Sequence, residues 1–125
     1  MTILLVDDDA LLRDVLHQTL VRAGYDVEDA SDGAGALQAY RQRPRDLVIT
    51  DLVMPGQEGL ETIRALRALD ANVRIIAMSG GGLGRADDYL NLARRLGATR
   101  VLTKPFSGAE IVALVAEVLA APVSH

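Results

Sequence analysis

Three stretches of this chain, Ile3-Leu4-Leu5-Val6, Leu47-Val48-Ile49 and Val73 through Met78, are near-continuous apolar runs broken only by Arg74. A strand with one wet face alternates apolar and polar residues, whereas a strand that is apolar at almost every position is covered on both faces. Between these runs lie stretches with the period of amphipathic helices. Strands are expected at Thr2–Val6, Tyr25–Asp29, Asp46–Thr50, Val73–Met78 and Thr99–Leu102, each followed by a helical pattern. Strict alternation of this kind predicts an α/β, doubly wound domain on a parallel sheet.

The helical stripes are legible individually. Leu12, Val15, Leu16 and Thr19 share one face of the first, Tyr89, Leu92, Ala93 and Leu96 one face of the fourth, and Ile111, Leu114, Val115, Val118 and Leu119 one face of the fifth. Asp9 reads as the N-cap of the first helix, and Ser107 with Glu110 has the spacing of a capping box. Gly24 and Gly97 stand where left-handed C-caps are wanted. At 125 residues, half of them apolar, the chain reads as one domain over 1–125 with a core of its own.

Composition excludes several classes of function. The chain has no cysteine, so disulfides, thiolate metal sites and thiol nucleophiles are all absent, as suits a reducing compartment. The opening Met1–Val6 has no basic lead-in, and its apolar run is too short for a signal peptide or a membrane span. A cytoplasmic protein is expected. A formal net charge of −4 argues against direct nucleic-acid binding. The arginines at 41, 43, 45, 94 and 95 fall near expected helix ends and read as solvated charges complementing the helix dipole.

In an open parallel sheet, ligands bind beyond the carboxyl ends of the strands. Here the first strand runs into Asp7-Asp8-Asp9, the third into Asp51, the fourth into Ser79 and the fifth into Lys104. Carboxylates gathered about 5 Å apart repel by roughly 3 kcal/mol per pair at an effective dielectric near 20. A cation must relieve that cost, or one acid must stay protonated. An oxygen-only donor set favours a hard ion, Mg²⁺, with Mn²⁺ able to substitute. Asp7, Asp8 and Asp51 together carry −3, which Mg²⁺ and Lys104 would cancel. Lys104 is also the single lysine beside twelve arginines, a compact ammonium kept where every other cation is a planar fork. A carboxylate beside a divalent ion and an ammonium suits nucleophilic phosphoryl transfer, where catalysis is mainly positioning and charge neutralisation.

The segments Leu4-Leu5-Val6-Asp7-Asp8, Ile49-Thr50-Asp51-Leu52-Val53-Met54-Pro55-Gly56, Ala77-Met78-Ser79 and Thr103-Lys104-Pro105-Phe106 resemble, in order and rough spacing, the motifs of response-regulator receiver domains. The likeness spans essentially the whole chain. It implies a flavodoxin-like (βα)5 fold with a five-stranded sheet of order 2-1-3-4-5. It implies Asp51 as phosphoacceptor and Asp8 as direct Mg²⁺ ligand. Asp7 would act largely through bound water, and the Val53 carbonyl would complete the ligands. Ser79 would be the switch hydroxyl and Lys104 the partner of the phosphoryl oxygens, with a cis Lys104-Pro105 bond. The implied partners are a sensor histidine kinase or a histidine phosphotransfer protein upstream. Downstream, the family's usual contact is a protein target at the face of the fourth helix, fifth strand and fifth helix, where Leu90 is a candidate apolar contact.

Three departures from the family pattern stand out. Val101 replaces an aromatic that in many relatives swings inward on activation. The Gly80-Gly81-Gly82-Leu83-Gly84 stretch is unusually glycine-rich, and it is expected to order around a phosphoryl group. Val53 and Gly81 offer no side-chain hydrogen bond to an attacking water, so slow hydrolysis of the acyl phosphate is expected. Two other readings compete with this one. A small haloacid-dehalogenase-type phosphatase would use Asp7 as nucleophile but leaves Asp51-x-x-Met54-Pro55 unexplained. An excised receiver of a longer DNA-binding regulator is disfavoured by a chain that starts at Met1 and ends without a linker. The chain is expected to be a phosphoacceptor switch rather than an enzyme with turnover.

Overall fold

The centre of the molecule is β1 (Thr2–Val6), in which every residue from Ile3 to Val6 is fully buried. Its neighbours are β2 (Asp26–Ala30) on one side and β3 (Leu47–Asp51) on the other, and β4 (Ile75–Gly80) and β5 (Arg100–Lys104) follow outward from β3. All four pairings are parallel, and the order is β2-β1-β3-β4-β5. The structure is a computed structural model that describes residues 1–52, 58–80, 91 and 93–121.

The sheet is covered on both faces, as its apolar strands require. Leu4, Val6, Val48, Ile75 and Ala77 pack with α2 (Gly33–Gln42) and α3 (Glu58–Leu69). The alternate residues Ile3, Leu5, Leu47, Ile49, Ile76 and Met78 pack with α1 (Ala10–Arg22) and the last helix, α4 (Gly108–Ala120). Period-2 alternation thus feeds two cores rather than one core and solvent. Of the fourth helical pattern, residues 91 and 93–96 are helical, whereas Tyr89, Leu90 and Leu92 lie outside the described residues.

Local signals behave as short-range chemistry predicts. The Asp9 carboxylate accepts the Leu11 and Leu12 N–H groups, and Ser107 and Glu110 form the reciprocal capping box of α4. Gly24 and Gly97 adopt φ values of +102° and +119°. Strand boundaries differ from the sequence expectation: β2 to β5 sit one or two residues further along the chain. The apolar pattern undercounts strands whose last residues are polar but still paired, so Asp51, Ser79 and Lys104 lie within their strands.

Leu12, Val15, Leu16 and Thr19 do share one face of α1, lining an open groove against Pro105 and Phe106, although Val15 is 56% exposed and the deeply buried residues are Leu16 and Leu20. One expectation needs correction: Arg45 is not a solvated helix-end charge. It is only 7% exposed, its Nη1 donates to the carbonyl oxygens of Ala39 (3.0 Å) and Arg43, and its Nη2 lies 2.5 Å from Glu28 Oε1. It does serve the last carbonyls of α2, but from inside the protein.

Candidate functional site

The carboxyl ends of β1, β3, β4 and β5 form one rim. Parallel register sets this up: Asp51 pairs with Met78, Ser79 with Thr103 and Gly80 with Lys104. Asp7 follows β1 directly, tied to the edge strand by its N–H donating to the Ala30 carbonyl at 3.2 Å. Its side chain is fully buried, Asp51 is 5% exposed, and Asp8 is exposed. These three carboxylates each bring an oxygen within 4.8 Å of the others. Lys104 Nζ completes the cluster, 3.5 Å from Asp7 Oδ2 and 3.4 Å from Asp51 Oδ1.

Asp7 accepts a hydrogen bond on one side only. Its Oδ1 accepts the Asp9 N–H at 2.9 Å, while the buried Oδ2 accepts no hydrogen bond among the described residues. Leaving a buried carboxylate oxygen without a donor is costly, typically 1–3 kcal/mol or more. A hard divalent cation, or a water it holds, fits that gap, because the donors are all oxygen and the ammonium leaves two of three negative charges uncancelled. Asp7, Asp8 and Asp51 are therefore an all-oxygen cluster that could hold a hard divalent metal ion. The expected fourth donor, the Val53 carbonyl, lies outside the described residues, as do Met54, Pro55, Gly56 and 81–84.

Ser79 is fully buried at the exit of β4, one residue beyond the strand partner of Asp51. The Lys104-Pro105 peptide is cis, as the family likeness implied. Val101 is half-buried and packs on the core cluster that includes Ala93.

Two residues of this site were not read from the sequence. A Cβ on Gly59 would stand 2.4 Å from Leu52 Cα and 2.5 Å from the Asp51 carbonyl oxygen. Only glycine lets the start of α3 press against the acceptor's backbone, and a glycine inside a helix, at roughly 1 kcal/mol against alanine, was the available signal. Arg13 donates from Nη1 to the Asp7 carbonyl oxygen at 2.5 Å. A cation in the first turns of a helix, where the dipole opposes it, was the signal there.

Comparison with known proteins identifies the family and the fold. The family model described as response regulator receiver domain matches residues 3–116. Sporulation initiation phosphotransferase F of Bacillus subtilis is 33% identical over 87% of this chain and 86% of its own length. Chemotaxis protein CheY of Halobacterium salinarum is 30% identical over 95% of this chain and 97% of its own. The chain is also 34% identical to the DNA-binding transcriptional regulator NtrC of Bradyrhizobium, but spans only 25% of that protein's length. Among solved structures, the receiver domain of NtrX from Brucella abortus superposes with a TM-score of 0.89 at 26% identity, covering 96% of this chain and 99% of that one. With a sheet of the expected order, an acidic rim answered by one ammonium and a family match over nearly its full length, the chain belongs to the response regulator receiver domains.

Proposed function

We propose that this receiver is a Mg²⁺-dependent phosphate switch in which Asp51 accepts a phosphoryl group from a phosphohistidine on a sensor kinase or phosphotransfer protein. The observation that carries the reading is the rim itself. Two buried carboxylates share one ammonium, and the Asp7 oxygen that faces it accepts no hydrogen bond. Asp7, Asp8 and Asp51 would hold the ion, with the Val53 carbonyl; bound there, it supplies charge neutralisation for phosphoryl oxygens. An Asp51 carboxylate oxygen forms the bond to phosphorus as the P–N bond breaks. The donor imidazole leaves with that electron pair and takes up a proton. Lys104 exchanges its contact with Asp51 for a phosphoryl oxygen, and Ser79 offers its hydroxyl to another.

The protein works by population shift rather than turnover, and a few kcal/mol of differential contact inverts a two-state equilibrium. Output passes to a protein target at the face built from the helical residues 91 and 93–96, β5 and α4. Because Val101 has no ring to swing, the change reaches this face through the β5 backbone that carries Lys104. A net charge of −4 and the absence of cysteine support a cytoplasmic protein that does not itself bind nucleic acid. Among the described residues no helix is long and apolar enough to cross a membrane.

The test is incubation with radiolabelled acetyl phosphate, with and without Mg²⁺. Label is expected on the wild type only with Mg²⁺ and is expected to vanish in Asp51→Asn; label retained by that variant refutes the assignment. Docking is separable from chemistry. A groove of about 320 Å³ between α1 and the Pro105-Phe106 turn reaches Lys104, so a phosphodonor protein seated there lies against the acceptor rim. Val15→Asp should slow transfer from a protein donor about tenfold, corresponding to ~1.4 kcal/mol, and leave labelling by acetyl phosphate unchanged.

A further inference from the structure

Arg13 lies one turn into α1 and reaches two acceptors in different directions. Its Nη1 donates to the Asp7 carbonyl oxygen at 2.5 Å, and its Nε stands 3.9 Å from Asp29 Oδ2 on the edge strand β2. One helical turn further on, His17 Nδ1 lies 2.8 Å from the other Asp29 oxygen. Residues four apart share a helix face, so Arg13 and His17 together bracket a single carboxylate. The carbonyl that Arg13 grips belongs to the peptide joining Asp7 to Asp8. That unit is planar, so fixing its oxygen fixes the plane from which Asp8 departs. Among the described residues no side-chain hydrogen bond or ion pair orients the Asp8 carboxylate. Its aim is therefore inherited from the backbone.

We propose that Arg13 is a positioning residue for the metal site, with Asp29 as its counter-charge and His17 as the brace of Asp29. The inference rests on the reading that Asp7, Asp8 and Asp51 bind Mg²⁺. A guanidinium beside a cation site is an electrostatic liability unless it is balanced, and Asp29 balances it. The planar fork suits the task because it serves a carbonyl and a carboxylate at once, which an ammonium does less well. Groups that orient ligands without touching the metal commonly alter affinity by one to two orders of magnitude.

The test is calorimetric titration of the full chain with Mg²⁺, alongside thermal midpoints measured without Mg²⁺. Arg13→Met should weaken Mg²⁺ binding about tenfold, with Arg13→Lys recovering part of the loss. Asp29→Asn should weaken it by a smaller factor, one that shrinks as ionic strength rises because it is caused by an unbalanced charge. His17→Gln should leave most of the affinity in place. If the wild type binds Mg²⁺ and a folded Arg13→Met binds it equally well, the inference is wrong although the metal site stands. If Arg13→Met does not fold, Asp29→Asn decides: an affinity equal to wild type at low salt overturns the proposal. A wild type that binds no Mg²⁺ fails at the earlier step and removes the metal site itself.

Discussion

The two rims of the sheet both hold buried charge and treat it in opposite ways. At the amino-terminal rim, Arg45 serves the carbonyls of Ala39 and Arg43 and pairs with Glu28, leaving only its Nε without a partner. Nearby, Asp46 accepts the Thr2 N–H at 2.8 Å, and the Tyr40 hydroxyl donates to Asp70 at 2.7 Å. At the carboxyl-terminal rim, one ammonium is divided between two acids at 3.4 and 3.5 Å, beyond the usual hydrogen-bond range, so the Oδ2 of Asp7 has an ion pair but no hydrogen bond. Charge with nearly all its partners in place is structural. A buried carboxylate oxygen held only by a long ion pair, as in Asp7, is where a ligand belongs.

The strongest test of that contrast is Lys104→Ala. At the carboxyl rim the loss should fall on function: labelling by acetyl phosphate should slow about a hundredfold, comparable to losing one donor to a developing charge. The Mg²⁺-free thermal midpoint should fall as well, since two carboxylates lose their shared cation, and saturating Mg²⁺ should restore most of it. A variant labelled at the wild-type rate would break the comparison.

Arg45→Met should do the reverse. Removing the donor to two carbonyls and the partner of a half-exposed glutamate should cost about 2 kcal/mol in denaturant unfolding. The rate of labelling per folded molecule should not move.

The smallest effect is expected at Tyr40. Burial, then the hydrogen bond and the charge of Asp70, hold its phenol protonated well above the ordinary tyrosine range. The unfolded chain releases that proton near pH 10. A raised folded-state value means that stability from this group is full below about pH 10 and declines as pH rises beyond it. Tyr40→Phe should therefore cost about 1 kcal/mol at neutral pH and flatten the alkaline loss of stability. Equal alkaline slopes for the two proteins would remove Tyr40 from the account.

Much of the architecture is legible in the sequence. The apolar runs of β1, β3 and β4 call for a sheet covered on both sides, and Asp9, Ser107 with Glu110, Gly24 and Gly97 mark helix ends through contacts that reach only a few residues. The acids and the lone lysine at strand exits announce a site. The misreading of Arg45 has a tertiary cause: it is buried only because β2 and α2 close over it.

The chain by itself determined its layer architecture, its caps and the chemistry available at the strand ends, because periodicity and capping are short-range properties. Only the tertiary structure decided that Lys104 stands between Asp7 and Asp51, that Gly59 presses on the acceptor's backbone, and that Arg13 holds the Asp7 carbonyl. Those contacts join residues remote in sequence or aimed by packing. Strand register and helix rotation set them, and no local pattern encodes either.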